Sequence, residues 1–349
     1  MSEERTYKFG IVGCGVIAPW HAEAIARTEG AELVAVCDID RARAEALAEK
    51  YGVTEVYTDY EKMMEREDLD IVNICVYSGR HAEVGIAAAQ AGKHILCEKP
   101  IDITLERIDA LIKAADEAGV KLGVIFQRRT SPHSCVVKEA IAQGKLGHLI
   151  LCDTYLKYHR SHEYYASAGW RGTWELDGGG CLMNQGVHGI DLLQWLVGVP
   201  VTSVFGRTGT LARNIEVEDT AVAVLTFRNG ALGVIEGTTS LVAPGLPTRH
   251  DLHGERGTIV LTDKGIERWD VEGEEGQIPQ VEAETVGGTA DPRAIGMRGH
   301  ILQVQDMVAA VRENRDPMVP GREARKAVEI ILAIYRSAQT GEVVTLPLK

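Results

Sequence analysis

Aromatic residues make up only 5% of this 349-residue chain, and no stretch is an uninterrupted apolar run of membrane-spanning length. Lys and Arg nowhere cluster, and the formal net charge is −13. That balance argues against a nucleic-acid or anionic-membrane partner, although bulk charge bears on solubility more than on function. The seven cysteines, at positions 14, 37, 75, 97, 135, 152 and 181, are odd in number and lack CxxC or CxxH spacing. Reduced core thiols are expected, with neither a disulfide framework nor a metal site. The opening MSEERTYKFG has no signal-peptide character, so the expected location is the cytoplasm. Internal repeats and low-complexity linkers are absent as well. With 45% hydrophobic and 25% charged residues, the composition is that of an ordinary soluble enzyme large enough for two cores, not of a disordered or fibrous chain.

The first third alternates strand and helix. YKFGIVGCG reads as a strand ending in glycines, APWHAEAIART as a helix, AELVAVCDID as a strand, and RARAEALAEKYG as a helix closed by glycine. DIVNICVYS, HAEVGIAAAQAGK, HILCEKP, TLERIDALIKAADEAG (capped by Thr104) and KLGVIF continue the period. Such alternation implies right-handed crossovers and a parallel sheet covered on both faces, a doubly wound α/β domain over residues 1–126.

Ligands of such sheets bind beyond the carboxyl ends of the strands. There, after the first strand, stands Gly13-Cys14-Gly15-Val16-Ile17-Ala18, the GxGxxA form of a dinucleotide fingerprint. Gly13 permits the tight turn, Gly15 a close backbone approach to a pyrophosphate, and the helix start at Val16 and Ile17 the positive end of a dipole. Asp38 ends the second strand about twenty residues later, where an acid accepts ribose hydroxyls. NAD is therefore the expected cofactor, with NADP left open by the nearby Arg41.

From residue 127 to 349 the pattern changes. Short alternating strands run from Val201 to about Val271, among them EDTAVAVLTF and ALGVIEGTTS joined at Asn229-Gly230, a type I′ hairpin signal. EGEEGQIPQVEAETVGGTADP reads as an exposed loop or edge, and the amphipathic helices HILQVQDMVAAVREN and REARKAVEIILAIYRSAQTG follow, the second ending at Gly341. An antiparallel sheet with helices on one face leaves the other face to be covered, so a homodimer or homotetramer is expected.

Between the sheet's first strand and its glycines lies YLKYHRSHEYYASAGWRGTWELDGGG. Tyr158, Arg160, Tyr164, Tyr165, Trp170, Arg171 and Trp174 gather ring faces and guanidinium forks suited to the C–H faces and hydroxyls of a sugar, or to a phosphate. The alternative is that the tryptophans anchor a core and Arg171 closes a structural ion pair. Gln127 and Arg128, after KLGVIF, are placed at the ligand side, and Arg129 away from it by strand alternation. A helix from about Asn184 puts Asn184, His188 and Asp191 into one polar stripe on an otherwise apolar rod. A buried polar stripe needs hydrogen-bond partners, and the partner expected here is substrate.

GIVGCGVIA with His21 after it, SGRHAE, EKP at Glu98–Pro100, GGGCLMNQGVHGIDLLQWL and the tail PGREARKAVEIILAIYRSAQTGEVVTLP together resemble the Gfo/Idh/MocA family of nicotinamide-dependent oxidoreductases over essentially the whole length. The resemblance implies an N-terminal Rossmann domain and a C-terminal α+β domain whose large open antiparallel sheet mediates oligomers. It implies sugars, inositols, anhydrosugars or sugar nucleotides as substrates. Its GGGxxxDxGxH motif carries the catalytic positions onto Asn184 and His188, beside Lys99 of EKP. Oxidising a secondary alcohol needs a hydride acceptor and a base, and imidazole titrates in the right range. His188 is the expected base, and Lys99 the group holding the hydroxyl oxygen. The family's carboxylate is here Asn184, which leaves the proton acceptor open between His188 and Lys99, with Asp191 as a group that could orient His188. Tyr77 and Ser78 stand where the family commonly has Thr-Pro and are assigned to the nicotinamide site. His81 and His21 are read as packing residues at helix starts, with His81 and Glu98 counted among the cofactor contacts. Two further readings of the same fold are an NAD-dependent glycosidase, working by transient C3 oxidation and elimination with Tyr158, Tyr164 or Tyr165 as extra acid/base, and a non-catalytic NAD-binding sensor.

Overall fold

The computed structural model describes residues 5–281 and 297–348. The first unit opens with β1 (Tyr7–Val12), α1 (Ala18–Ala26), β2 (Ala31–Cys37), α2 (Arg41–Tyr51), β3 (Glu55–Tyr57), α3 (Tyr60–Met64), β4 (Ile71–Ile74), α4 (His81–Gln90), β5 (His94–Cys97), α5 (Leu105–Ala118) and β6 (Leu122–Val124). Its six strands are all parallel, in the order β3-β2-β1-β4-β5-β6. The order reverses between β1 and β4, which is where such sheets open their ligand crevice. The residues after β1 and after β4 are thereby brought together. Caps follow the sequence reading: the Thr104 hydroxyl accepts from Arg107 N at the start of α5, and Gly52 and Gly119 end α2 and α5 in the left-handed region. β3 and α3 were not read from the sequence; their apolar pattern is too short to show a period.

The second unit holds α6 (Pro132–Ala142), β7 (Leu149–His159), α7 (His162–Ala166), α8 (Val187–Val197), β8 (Val201–Gly209), β9 (Thr220–Phe227), β10 (Leu232–Thr238), β11 (Ser240–Gly245), β12 (Arg249–Gly254), β13 (Gly257–Thr262) and β14 (Gly265–Val271). Then come α9 (Met297–Arg312), α10 (Gly321–Thr340) and β15 (Val344–Thr345). The sheet has nine strands, eight in the order β14-β13-β12-β7-β10-β9-β8-β15, with β11 on the far end of β7. It is antiparallel except that β7 and β10 run parallel. Along β9, Ala221, Ala223, Leu225 and Phe227 are buried while Val222 and Val224 are each half exposed. One face is thus core and the other bare, as the period of two requires.

The unit boundaries differ from a single cut at 126/127. Met1–Gln127 and Met297–Arg325 form one compact unit, Arg128–Gly296 and Lys326–Lys349 the other. The helix α9 lies on α1, burying Val304, Met307 and Val308 in the core of the first unit. An amphipathic helix needs an apolar face to meet, and nothing in its own sequence says which.

Three local expectations are corrected. The β9–β10 hairpin is not type I′, which needs φ > 0 at both central residues. Only Gly230 has it (φ 88°), Gly230 N donates to Phe227 O at 2.9 Å, and Phe227 N donates to Ala231 O at 2.9 Å. This is a type I turn followed by a left-handed glycine. Residues Gln127–Thr130 form a 3-10 turn and not an extended segment, so strand alternation does not apply to Arg128 and Arg129. Tyr158 lies on β7, inside the sheet, and not in the connection that follows it. In the 272–292 stretch, residues 272–281 are turn and irregular backbone, mostly exposed as expected, and 282–292 lie outside the described residues. All seven cysteines are free thiols, six buried and Cys135 exposed. No described helix is long and apolar enough to cross a membrane.

Candidate active site

In the first unit the glycine turn is built by backbone. Gly13 has φ 93°, and a Cβ there would stand 2.6 Å from the Cys75 carbonyl beyond β4, so no other residue fits. A Cβ at Gly15 would meet nothing within 4 Å, which leaves the backbone amides open on that side. Val16 is exposed and Ile17 is the residue before α1. Asp38 is held by this turn: its Oδ2 accepts from Cys14 N at 2.7 Å and its Oδ1 from Asp40 N at 2.8 Å. The carboxylate is fixed at the end of β2, with lone pairs left for a diol. These features fit a dinucleotide. The neighbouring Arg41 is engaged by Glu45 at 2.7 Å on the surface of α2.

Tyr77 and Ser78 start a 3-10 turn after β4, Tyr77 half-buried and Ser78 buried. His81 opens α4 with its ring nitrogens on Pro100 O (2.6 Å) and Val76 O (3.0 Å). It braces the exits of β4 and β5 against each other. Glu98 is turned inward. One of its oxygens is 2.9 Å from His21 Nε2 and 3.4 Å from His300 Nε2, while the other accepts from Lys99 N at 3.1 Å. Asn73 Nδ2 lies 2.9 Å from His21 Nδ1, and donates if that nitrogen is the unprotonated one. Burial opposes ionisation of Glu98, yet the two imidazoles hold its carboxyl well below the usual range, and burial lowers His21. An ionised Glu98 beside a neutral His21 imidazole follows. His21 is therefore more than packing: through Glu98 it fixes the backbone that presents the half-buried Lys99. Gln127 is half-buried at the end of this unit.

In the second unit the stripe on α8 is largely answered from within. A single π-helical turn, Cys181–Gly186, precedes α8, where a plain helix from Asn184 was expected. Its cause is Glu218. The Glu218 carboxylate accepts from Gly180 N (3.0 Å) and Leu182 N (2.9 Å), and also from the Tyr335 hydroxyl (2.8 Å). A Cβ on Gly180 would be 2.0 Å from Glu218 O, so the glycines before the turn serve this close approach. Burial raises the Glu218 carboxyl, against those hydrogen bonds. Asn184 Nδ2 donates to Asp177 Oδ1, and Asn184 Oδ1 accepts from Gln185 Nε2 at 2.8 Å. Asp177 also accepts from Gly172 N at 2.8 Å. Asp191 was read as a group that could orient His188; each of its oxygens accepts from Arg129, through Nε and Nη2 at 2.7 and 2.6 Å, in a buried fork. His188 remains half-buried in the first turn of α8.

The Tyr/Arg cluster divides. Tyr158 and Tyr165 are buried, their hydroxyls on Thr248 and Thr239 at 3.0 Å each. Arg128 pairs with Asp263 at 2.8 Å. Arg160 donates to Gln185 Oε1 at 3.0 Å, and Tyr164 accepts from Gln185 Nε2 at 2.8 Å. Arg171 lies over the Tyr164 and Trp170 rings. Trp174 is exposed and meets Tyr335 edge-on. Tyr164, Trp170 and Arg171 thus stay half-buried, while Tyr158, Tyr165 and Arg160 are committed to the interior.

Residues 7–126 match the model of the oxidoreductase family's NAD-binding Rossmann fold, and residues 138–346 that of its C-terminal alpha/beta domain. The chain belongs to the Gfo/Idh/MocA oxidoreductases. Myo-inositol 2-dehydrogenase of Thermotoga maritima is 30% identical over 278 residues, 75% of this chain and 80% of that one. D-glucoside 3-dehydrogenase of Escherichia coli is 31% identical over 253 residues, 67% and 70% respectively. Among solved structures, the WlbA dehydrogenase of Bordetella pertussis in complex with NADH and UDP-GlcNAcA is 36% identical, with a TM-score of 0.88 over 99% of this chain and 100% of that one. In this Gfo/Idh/MocA chain, sequence reasoning missed Asp177, Gln185, Glu218, His300 and Tyr335. Each is defined by its spatial partner, and carboxylates preceding glycines or strands carry no signal of their own.

Proposed function

We propose that His188 is the general base and Lys99 the oxyanion-stabilising group in this NAD(H)-dependent dehydrogenase. The reaction class is the family's: hydride transfer between nicotinamide and a secondary alcohol of a sugar, inositol, anhydrosugar or sugar nucleotide. Bound NAD supplies the hydride acceptor. His188 takes the hydroxyl proton, a task for neutral imidazole near pH 7. Lys99, whose backbone is pinned by Glu98, carries the positive charge that meets the developing alkoxide. Asn184 lacks the charge of the family's carboxylate, and Asp177 restores an anion one hydrogen bond behind it. The single observation that supports the assignment is that His188 and Lys99 are both present in their motifs and both half-buried, on backbone fixed by buried carboxylates.

A second copy of the chain covers the bare sheet face in this reading. Val222, Val224 and Leu232 are 50, 50 and 56% exposed there, an apolar strip that a symmetric partner would bury. Cytoplasmic residence accords with seven free thiols. Incubation with NAD and a panel of monosaccharides, inositols, anhydrosugars and sugar nucleotides tests the activity. Stoichiometric NADH is expected, whereas release of an aglycone without NADH would assign the elimination route.

A further inference from the structure

We propose that Arg171, with the buried Arg160 behind it on the same ring, forms an anion subsite through which this enzyme selects sugars bearing an ionised group, a carboxylate or a phosphate. The proposal rests on the dehydrogenase reading above and names its substrate class. The guanidinium carbon of Arg171 lies 4.1 Å from the centroid of the Tyr164 ring and 5.2 Å from that of Trp170. Arg160 stands 5.2 Å from the same Tyr164 ring. Two cations therefore share one aromatic platform. The chain carries 50 acidic against 37 basic residues, yet among the described residues no carboxylate comes within ion-pair distance of Arg171, and its buried Nε has no hydrogen-bond partner. A partly desolvated cation costs free energy unless an anion compensates it, and ring faces offset only part of that cost.

The position of the pair connects it to the chemistry. The Tyr164 hydroxyl accepts from Gln185, Gln185 bridges to Asn184 and to Arg160, and the π turn holding both amides runs directly into the helix of His188. An anionic group on Arg171 would hold a sugar next to this polar wall. The planar fork of arginine matches the two oxygens of a carboxylate or a phosphate, which a purely structural arginine on an aromatic face does not require.

Four probes separate the two anions: UDP-glucuronate carries carboxylate and diphosphate, UDP-glucose only diphosphate, glucuronate only carboxylate, and glucose neither. The measurements are kcat/KM with NAD and calorimetric binding to the NADH-loaded enzyme. The wild type should prefer one or both of the probes with a single kind of anionic group, UDP-glucose and glucuronate, to glucose. Arg171→Gln should weaken the preferred anion about 10- to 100-fold, the worth of a charged hydrogen-bond pair, bringing the charged-to-neutral ratio towards one, with Arg171→Lys between. Equal losses on all four probes, an unchanged ratio, or no charged probe binding more tightly than glucose would overturn the subsite. Anion-selective binding that Arg171→Gln abolishes, without NADH from any probe, would keep the subsite and sink the dehydrogenase reading. NADH from glucose with no anion preference would do the reverse.

Discussion

The turn at Gly13 and the turn at Asn184 are held in opposite ways. The turn at Gly13 is shaped by main chain: a carbonyl beyond β4 approaches where a side chain would stand, and Asp38 is tied to an amide one residue away. The wall at Asn184 is shaped by side chains that meet across long stretches of sequence. Arg129 and Asp191 are 62 residues apart, Tyr158 and Thr248 are 90, and Glu218 and Tyr335 are 117. A backbone-built site tolerates change around it and forbids change within it. A side-chain-built site can be retuned residue by residue, which suits a family whose members share a cofactor and differ in substrate.

The largest effect should come from the wall. His188→Ala should lower kcat by about two to four orders of magnitude with NADH binding retained. A nearly intact kcat in that variant, with activity abolished by Lys99→Met, would make the lysine the base. Next comes the support beneath it: Arg129→Met leaves Asp191 buried without its fork, at a cost of about 3–5 kcal/mol in urea unfolding. Adding Asp191→Leu should recover much of that loss. If Arg129→Met alone is neutral, the pair contributes nothing to the wall.

That pair shows where the sequence could be read and where it could not. The parallel sheet, its helix caps, the glycine turn and Asp38 follow from periods and spacings within about thirty residues, and each was visible. The role of Asp191 was not, because its partner lies on a 3-10 turn far upstream, and a polar residue on an apolar helix does not announce who answers it. Asp177, which accepts from the Asn184 amide, was hidden for the same reason. The π turn had no signal in its own residues, since Glu218, two residues before β9, holds Gly180 N and Leu182 N. The return of α9 to the first unit was equally silent.

Acid separates the two units by a smaller margin. His250 is buried on β12 and its pKa falls to about 3, through burial first and Arg128 second. The unfolded state protonates near pH 6.5 and the folded state does not, so stability falls as pH drops from about 6.5 towards 3, by about 4 kcal/mol from this group alone. The depressed carboxyl of Glu98 adds a loss in the first unit only below its ordinary range near 4.5. His250→Leu should flatten the stability profile between pH 6.5 and 4.5, read by urea midpoints at each pH. An unchanged slope would mean that His250 is protonated in the folded chain.

The smallest effect belongs to the turn. Asp38→Ala removes the tie to Cys14 N and, on the proposed reading, a ribose contact, so KM for NAD should rise about tenfold with kcat little changed and preference moving towards NADP. An unaltered NAD:NADP ratio would show that the carboxylate serves only the turn.

The thiol of Cys14, inside that turn, is pushed up to about 12 by burial, then by Asp38 and Cys37, and it will not react with an electrophile at neutral pH. Of the seven cysteines only Cys135 is exposed. A maleimide dye should therefore attach at a single position on the natural chain, with no cysteine removed. The Cys135 thiol donates to Arg129 O at 3.4 Å, so the dye would sit beside the fork that holds Asp191. Its emission would report on the buried fork beneath α8 while NADH fluorescence reports on the glycine turn, two colours for the two units.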